Sequence, residues 1–171
     1  FGMVNIKVIG PGMTGILQAF RRPTPQEQAS FLTLKNQVDS NEFAGQRALV
    51  IGGSRGLGEV AAKLLSGGGS DVRITYHQGK EDALRIVDDI VSNDGVADSF
   101  HFDVLKPKID PTNISINNWI PTHLYYFATP FISSGVKGIF SPQLFDKFCD
   151  YYVVGFINTL NQLSEFKIRY I

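Results

Sequence analysis

From residue 47 onward, the apolar positions switch between short continuous runs and helical spacing. Arg47-Ala48-Leu49-Val50-Ile51 is a short apolar run, as expected for a parallel strand covered on both faces. Leu57, Val60, Ala61, Leu64 and Leu65 follow at i, i+3, i+4, i+7 and i+8, which places them on one face of a helix. Gly67-Gly68-Gly69 ends that helix, because glycine enters the left-handed cap conformation without steric cost. Residues 71–76 read as a second strand. Residues 80–91 carry Ala83, Leu84, Val87, Ile90 and Val91 as a second amphipathic helix. Asp94-Gly95 is a turn, and residues 96–102 form a third strand. The order strand–helix–strand–helix–strand predicts an α/β fold, a doubly wound parallel sheet with right-handed crossovers.

The flanks are less regular. Pro107, Pro111 and Pro121 with several Asn break any long helix across 105–121. Residues 123–128 are a fourth strand. Residues 142–163 form a long helix with Phe145, Phe148, Tyr152, Phe156 and Leu160 near one side, and a last strand starts near Phe166. At the other end, residues 4–9 and 15–20 form two strands around the turn Gly10-Pro11-Gly12. Thr24-Pro25-Gln26-Glu27 has the composition of a helix start. That helix carries Phe31, Leu34 and Val38 and fades by Asp39-Ser40-Asn41. The chain begins with Phe1 and stops in the strand-like alternation Phe166-Lys167-Ile168-Arg169-Tyr170-Ile171. The expectation is therefore a fragment of a longer protein.

The sequence has 171 residues and a formal net charge of zero, which argues against an electrostatic grip on nucleic acid or an anionic membrane. Cys149 is the single cysteine, so no internal disulfide forms, and a reducing, cytoplasmic setting is expected. No apolar run reaches membrane-span length, and no signal-peptide pattern is present. His77, His101 and His123 lie far apart without metal-ligand spacing, so no histidine cluster and no metal site are expected. Cys149 reads as a buried thiol. No catalytic constellation is visible in the chain.

The strongest chemical signal is Gly52-Gly53-Ser54-Arg55-Gly56-Leu57-Gly58, set between the first buried strand and its helix. A tight turn, close approach of a pyrophosphate and tight helix–strand packing each need a residue without Cβ. The helix N-terminus meanwhile presents free N–H groups to the anion. A triphosphate-binding P-loop is excluded, because Glu59 stands where that motif needs lysine. NAD binders place an acid about 20 residues beyond the loop. This chain has Thr75-Tyr76-His77-Gln78-Gly79-Lys80 there, which also disfavours a methyltransferase. Arg55 supplies a cation for a 2′-phosphate, with Lys80 in support, so NADP is preferred over NAD. The candidate cofactor residues are Gly52, Ser54, Arg55, Gly56, Leu57, Gly58, Tyr76 and His77.

Phe43-Ala44-Gly45-Gln46-Arg47-Ala48-Leu49-Val50-Ile51 and the glycine loop together resemble the first strand and TGxxxGxG loop of the short-chain dehydrogenase/reductase family, with Ile51 in place of the usual Thr. The resemblance implies that Asp103-Val104 reads adenine. It aligns His123-Leu124-Tyr125-Tyr126-Phe127-Ala128-Thr129 with the family's fourth strand and Asn-Asn-Ala-Gly signature, of which only Ala128 survives. Ala128 thereby joins the cofactor-binding set, while Tyr125, Tyr126 and Phe127 are better read as core. Tyr152 stands where the family has its structural and proton-relay Asn. The family's catalytic Ser and Tyr-x-x-x-Lys would lie beyond Ile171. The resemblance covers about residues 43–171 and divides the chain into an N-terminal segment, 1–42, and a dinucleotide-binding domain truncated at its C-terminal end, 43–171. It implies the NADP-binding part of an oxidoreductase that moves hydride between NADPH and a small-molecule carbonyl or alcohol. The alternative is a catalytically silent module acting as nucleotide sensor or structural domain. A homo-oligomer or a multidomain parent chain is the expected assembly.

Overall fold

Arg47–Ile51, β3 in chain order, is buried on both sides: Ala48 and Val50 face one core cluster, and Leu49 and Ile51 the other. The computed structural model describes residues 3–20, 28–106, 119–131 and 140–165. Around β3 it builds a parallel sheet from Asp71–Tyr76 (β4), Val96–His101 (β5) and His123–Tyr126 (β6). The strand order is β5-β4-β3-β6. Gly56–Gly67 (α2) and Lys80–Val91 (α3) cover one face, where Ala62, Leu65, Ala83, Ile86 and Ile90 pack with Val50, Val72 and Ile74. On the other face Leu49 and Ile51 pack with Phe100, Phe102, Val104, Trp119 and Leu163. Leu163 comes from a helical run made of Pro142–Cys149 (α4), a π-helical turn at Asp150–Val154 and Gly155–Glu165 (α5). The α/β, doubly wound parallel architecture is thus observed. After β3 the chain winds outward through β4 and β5, then returns to the opposite side of β3 at β6. A crevice opens at such a switch point, beyond the carboxyl ends of the strands.

Three helix faces differ from the apolar periodicity. In α2 the buried positions are Gly58, Glu59, Ala62, Lys63, Leu65, Ser66 and Gly67, whereas Leu57 is 76% exposed and Val60, Ala61 and Leu64 are half-buried. The face rotates because Lys63 and Glu59 go inside as an ion pair, which a hydrophobic pattern cannot register. In α3 the buried face is Ala83, Ile86 and Ile90, leaving Leu84 and Val91 exposed. In the long helical run the buried positions of the last part are Gly155, Thr159 and Leu163, while Phe145 and Tyr152 are exposed. The π turn, with its wider i→i+5 bonding, interrupts the 3.6-residue phase. The triple glycine ends α2, but the cap residue Gly68 has φ −88°, and the left-handed residue is Gly69 at φ 90°.

Met3–Gly10 (β1) and Met13–Phe20 (β2) form an antiparallel hairpin of their own, joined through Pro11-Gly12. The first described helix is short, Phe31–Lys35 (α1), with Ser30 as N-cap accepting from the Thr33 N–H. Phe31 is fully buried in the same core as α2 and α3, and Leu34 is buried too, whereas Val38 is half-buried beyond the helix end. The expected helix start at Thr24 and the expected strand from Phe166 lie outside the described residues. Among the described residues no helix is long and apolar enough to cross a membrane.

Candidate functional site

The glycine loop leaves β3 and enters α2 over the end of the neighbouring strand. Thr75, buried in β4, anchors its start: the Gly52 N–H donates to Thr75 Oγ1 at 3.1 Å and the Gly53 N–H to the Thr75 carbonyl at 3.1 Å. Gly52 takes φ 77°, and a Cβ there would meet the Ala128 backbone nitrogen at 2.8 Å. The end of β6 therefore lies directly against the loop. A Cβ on Gly58 would collide with the Gly52 carbonyl oxygen, so this glycine seats the first turn of α2 on the strand end. Gly56 differs: it takes φ 57° and has nothing within 4 Å of its Cβ direction. Arg55, the N-cap of α2, makes no side-chain cap bond, so no cap side chain covers the helix's first N–H groups.

A cleft of about 690 Å³ lies at these strand ends. From the predicted set it is lined by Gly52, Ser54, Arg55, His77, Asp103 together with Val104 and Ala128. Gly56, Leu57 and Gly58 build the loop without lining the cleft, and Tyr76 turns away, packing against the core and edge-on to His101 at 5.8 Å between ring centroids. Arg55 is not a lone solvated cation: its Nε donates to Asp82 Oδ2 in the first turn of α3, at 2.5 Å. Lys80 is exposed and lies outside the cleft lining. Asp103 Oδ1 accepts from the Leu105 N–H at 3.0 Å, and Oδ2 lies 3.5 Å from His77 Nε2.

Parallel pairing sets Tyr76 beside His101, which brings the His77 and His101 rings to 5.8 Å although they are far apart in sequence. His123 stays apart, its Nδ1 2.9 Å from Thr122 Oγ1. Among the described residues no group of three His, Cys, Asp or Glu could hold a metal. Cys149 is half-buried.

The β6 tyrosines point to opposite faces. Tyr125 Oη donates to Gln46 Oε1 at 3.1 Å, and Tyr126 Oη donates to the Tyr151 carbonyl in the π turn at 2.6 Å. Phe127 lines the cleft. The helix approaches β6 closely because Gly155 lacks a Cβ, which would otherwise stand 3.0 Å from Tyr126 Oη. Tyr152 Oη and Thr129 Oγ1 share a hydrogen bond of 2.6 Å. Burial, reinforced by the neighbouring phenols of Tyr151 and Tyr152, pushes the Tyr126 hydroxyl up to about 12. An unfolded tyrosine loses its proton near 10. The native state thus keeps a proton that the unfolded chain releases, and this contribution is complete below pH 10 and lost as pH rises toward 12. Tyr126→Phe is expected to cost about 1 kcal/mol at pH 8 and to flatten the stability loss between pH 10 and 12. Urea unfolding across that range checks both.

Sequence reasoning missed Thr75, Phe131, Lys147 and Tyr151, all of which line the cleft. The i, i+4 spacing of Lys147 and Tyr151 was the one available signal for the last two, and nothing tied it to the loop.

No family model and no curated protein sequence matches the chain. Solved structures do. A short-chain dehydrogenase from Burkholderia cenocepacia in complex with NADP is 26% identical with a TM-score of 0.59, over 73% of this chain and 52% of that one. A dehydrogenase/reductase from Sinorhizobium meliloti is 24% identical with a TM-score of 0.59, over 74% and 52%. The FolM alternative dihydrofolate reductase 1 from Brucella canis, complexed with NADP, is 18% identical with a TM-score of 0.58, over 73% and 50%. The chain spans about half the length of these structures. The class defined by fold and loop is a Rossmann-like α/β fold. Within that class the chain is similar in structure to short-chain dehydrogenase/reductases.

Proposed function

We propose that this chain binds NADP and is the nucleotide-binding part of an oxidoreductase that moves hydride between NADPH and a carbonyl or alcohol. The observation that carries the reading is the loop itself: Gly52 and Gly58 pack it shut against backbone, whereas Gly56 opens onto free space at a helix start that no side chain caps. That combination suits a pyrophosphate. A cleft of about 690 Å³ is roomy enough for a cofactor. The neighbours from Burkholderia cenocepacia and Brucella canis are described with NADP, which supports the same choice here.

When bound, the nicotinamide supplies the hydride chemistry. The chain's own residues bind and orient. The first N–H groups of α2 hold the pyrophosphate, and Asp103 accepts from the adenine amine. Arg55, steadied by Asp82, faces the 2′-phosphate with His77 beside it. Residues 76–80 carry no acid where NAD binders place the one that holds a free 2′-hydroxyl.

Fluorescence titration should therefore give tighter binding of NADPH than NADH. Arg55→Ala should weaken NADPH about tenfold or more, the scale of one lost charge-assisted bond, with a much smaller effect on NADH. Equal or tighter NADH binding sinks the NADP preference, and failure of both to bind sinks the nucleotide reading.

One observation favours a second reading. The Thr129–Tyr152 hydrogen bond joins the two positions where the family resemblance expects Gly and Asn, as a silent nucleotide-sensing module would allow. NADPH oxidation by the full-length protein against a carbonyl panel separates the two.

A further inference from the structure

The cleft runs across the strand ends from β5 and β4, past the glycine loop of β3, to β6 and α4. Its two ends differ chemically. Toward β4 and β5 are His77 and Asp103, with Arg55 committed to Asp82. Toward β6 the lining includes Phe127, Pro130 and Phe131, with Lys147 and Tyr151 contributed by the helical run. Lys147 and Tyr151 stand one turn apart, and the Tyr126 hydroxyl holds the Tyr151 carbonyl at 2.6 Å, which fixes that turn against the sheet.

Lys147 is exposed and makes no ion pair with any described residue, although Asp146 and Asp150 flank it on its own helix. It is the cleft cation left without a carboxylate partner among the described residues. Phe131, which lines the same cleft, is 78% exposed, apolar surface that a ligand in the cleft would cover. An unpaired ammonium in the same cleft as exposed aromatic surface suits an anionic group on an apolar body. A single lysine, with no second cation at that end of the cleft among the described residues, matches a carboxylate better than a phosphate dianion.

We propose that the Lys147–Tyr151 wall is the substrate end of the cleft and selects an apolar or aromatic carboxylic acid, its carboxylate held by Lys147. This rests on the reading of the glycine loop as the dinucleotide end.

The test uses benzoate and its neutral isostere benzamide, titrated calorimetrically into the 171-residue chain with and without saturating NADPH. Benzoate is expected to bind about tenfold more tightly than benzamide, the scale of one charge-assisted hydrogen bond. Lys147→Met should remove that difference, Lys147→Arg should keep most of it, and neither should change NADPH affinity or the thermal melt. The proposal is overturned if benzoate binds no better than benzamide, or if Lys147→Met leaves benzoate binding intact. It is equally overturned if that variant weakens NADPH as much as benzoate, since Lys147 would then hold cofactor. Should the chain fail to bind NADPH at all, the dinucleotide reading falls, while the titration without NADPH still decides whether Lys147 selects a carboxylate.

Discussion

Gly58→Ala is expected to abolish measurable NADPH binding and to lower stability by about 1–3 kcal/mol, the range for forced overpacking. Helix propensity alone points the other way, because alanine is favoured over glycine inside a helix by about 1 kcal/mol. The collision decides the sign. The new methyl would strike the Gly52 carbonyl oxygen and stand 3.0 Å from Gly53 Cα. Both are backbone atoms of the same loop, so no side chain can swing aside. The first turn of α2 must lift from the strand, carrying its N–H groups away from the anion position. Gly56→Ala is the informative contrast. Nothing lies within 4 Å of its Cβ direction, and the cost is confined to φ 57°, about 1–2 kcal/mol for a left-handed residue. That variant should fold yet bind NADPH poorly, its methyl filling the space left for the pyrophosphate. Urea unfolding and NADPH fluorescence on both variants check the pair. Wild-type binding and stability in Gly58→Ala would refute the loop geometry.

Lys63→Met should cost about 3–5 kcal/mol, the scale for removing one partner of a buried ion pair. Lys63 is 1% exposed and its Nζ reaches Glu59 Oε1 at 2.9 Å, Asp89 Oδ2 at 2.9 Å and the Ala29 carbonyl at 3.0 Å. All three ammonium donors are used. Asp89 Oδ2 also accepts from the Phe31 N–H at 3.0 Å, so the cluster fastens the start of α1 to α2 and α3. Without the lysine, Glu59, 3% exposed, keeps as its ion-pair partner among the described residues only Arg85 at 3.6 Å. Asp89 loses less, being 26% exposed and still bonded to Phe31. The double variant Glu59→Leu, Lys63→Met should recover much of the loss, because an apolar replacement removes the unpaired charge as well. Urea unfolding gives the magnitudes, and hydrogen exchange at 31–35 should accelerate in the single variant. A single variant as stable as the parent would mean that the cluster contributes nothing.

Much of the fold was legible because it depends on local pattern. Arg47–Ile51 is apolar throughout and buried on both faces, and glycine punctuation marks where strand becomes helix. The bounds of α3 and the start of α4 at Pro142 follow in the same way. The buried faces of the helices were less legible. Glu59 and Lys63 look like surface residues until Asp89, 26 positions beyond Lys63, completes their ion pairs. The π turn likewise has no signature in apolar spacing, yet it shifts every later position of the run.

The candidate site divides along the same line. Local sequence determined the glycine loop, the missing acid near Tyr76 and the cation at Arg55, because a strand–turn–helix junction is built from consecutive residues. Pairing register decided the rest. It set His77 against His101 and Asp103, gave Thr75 the anchoring of Gly52, and turned Tyr76 away from the cleft. The return of the chain to the far side of β3 brought Phe127 and Lys147 to the same opening as the loop. A side chain's neighbours across a parallel sheet come from strands a crossover apart, and no local pattern carries that distance. The sequence by itself therefore determined where the candidate dinucleotide loop lies. Only the tertiary structure decided what stands opposite it.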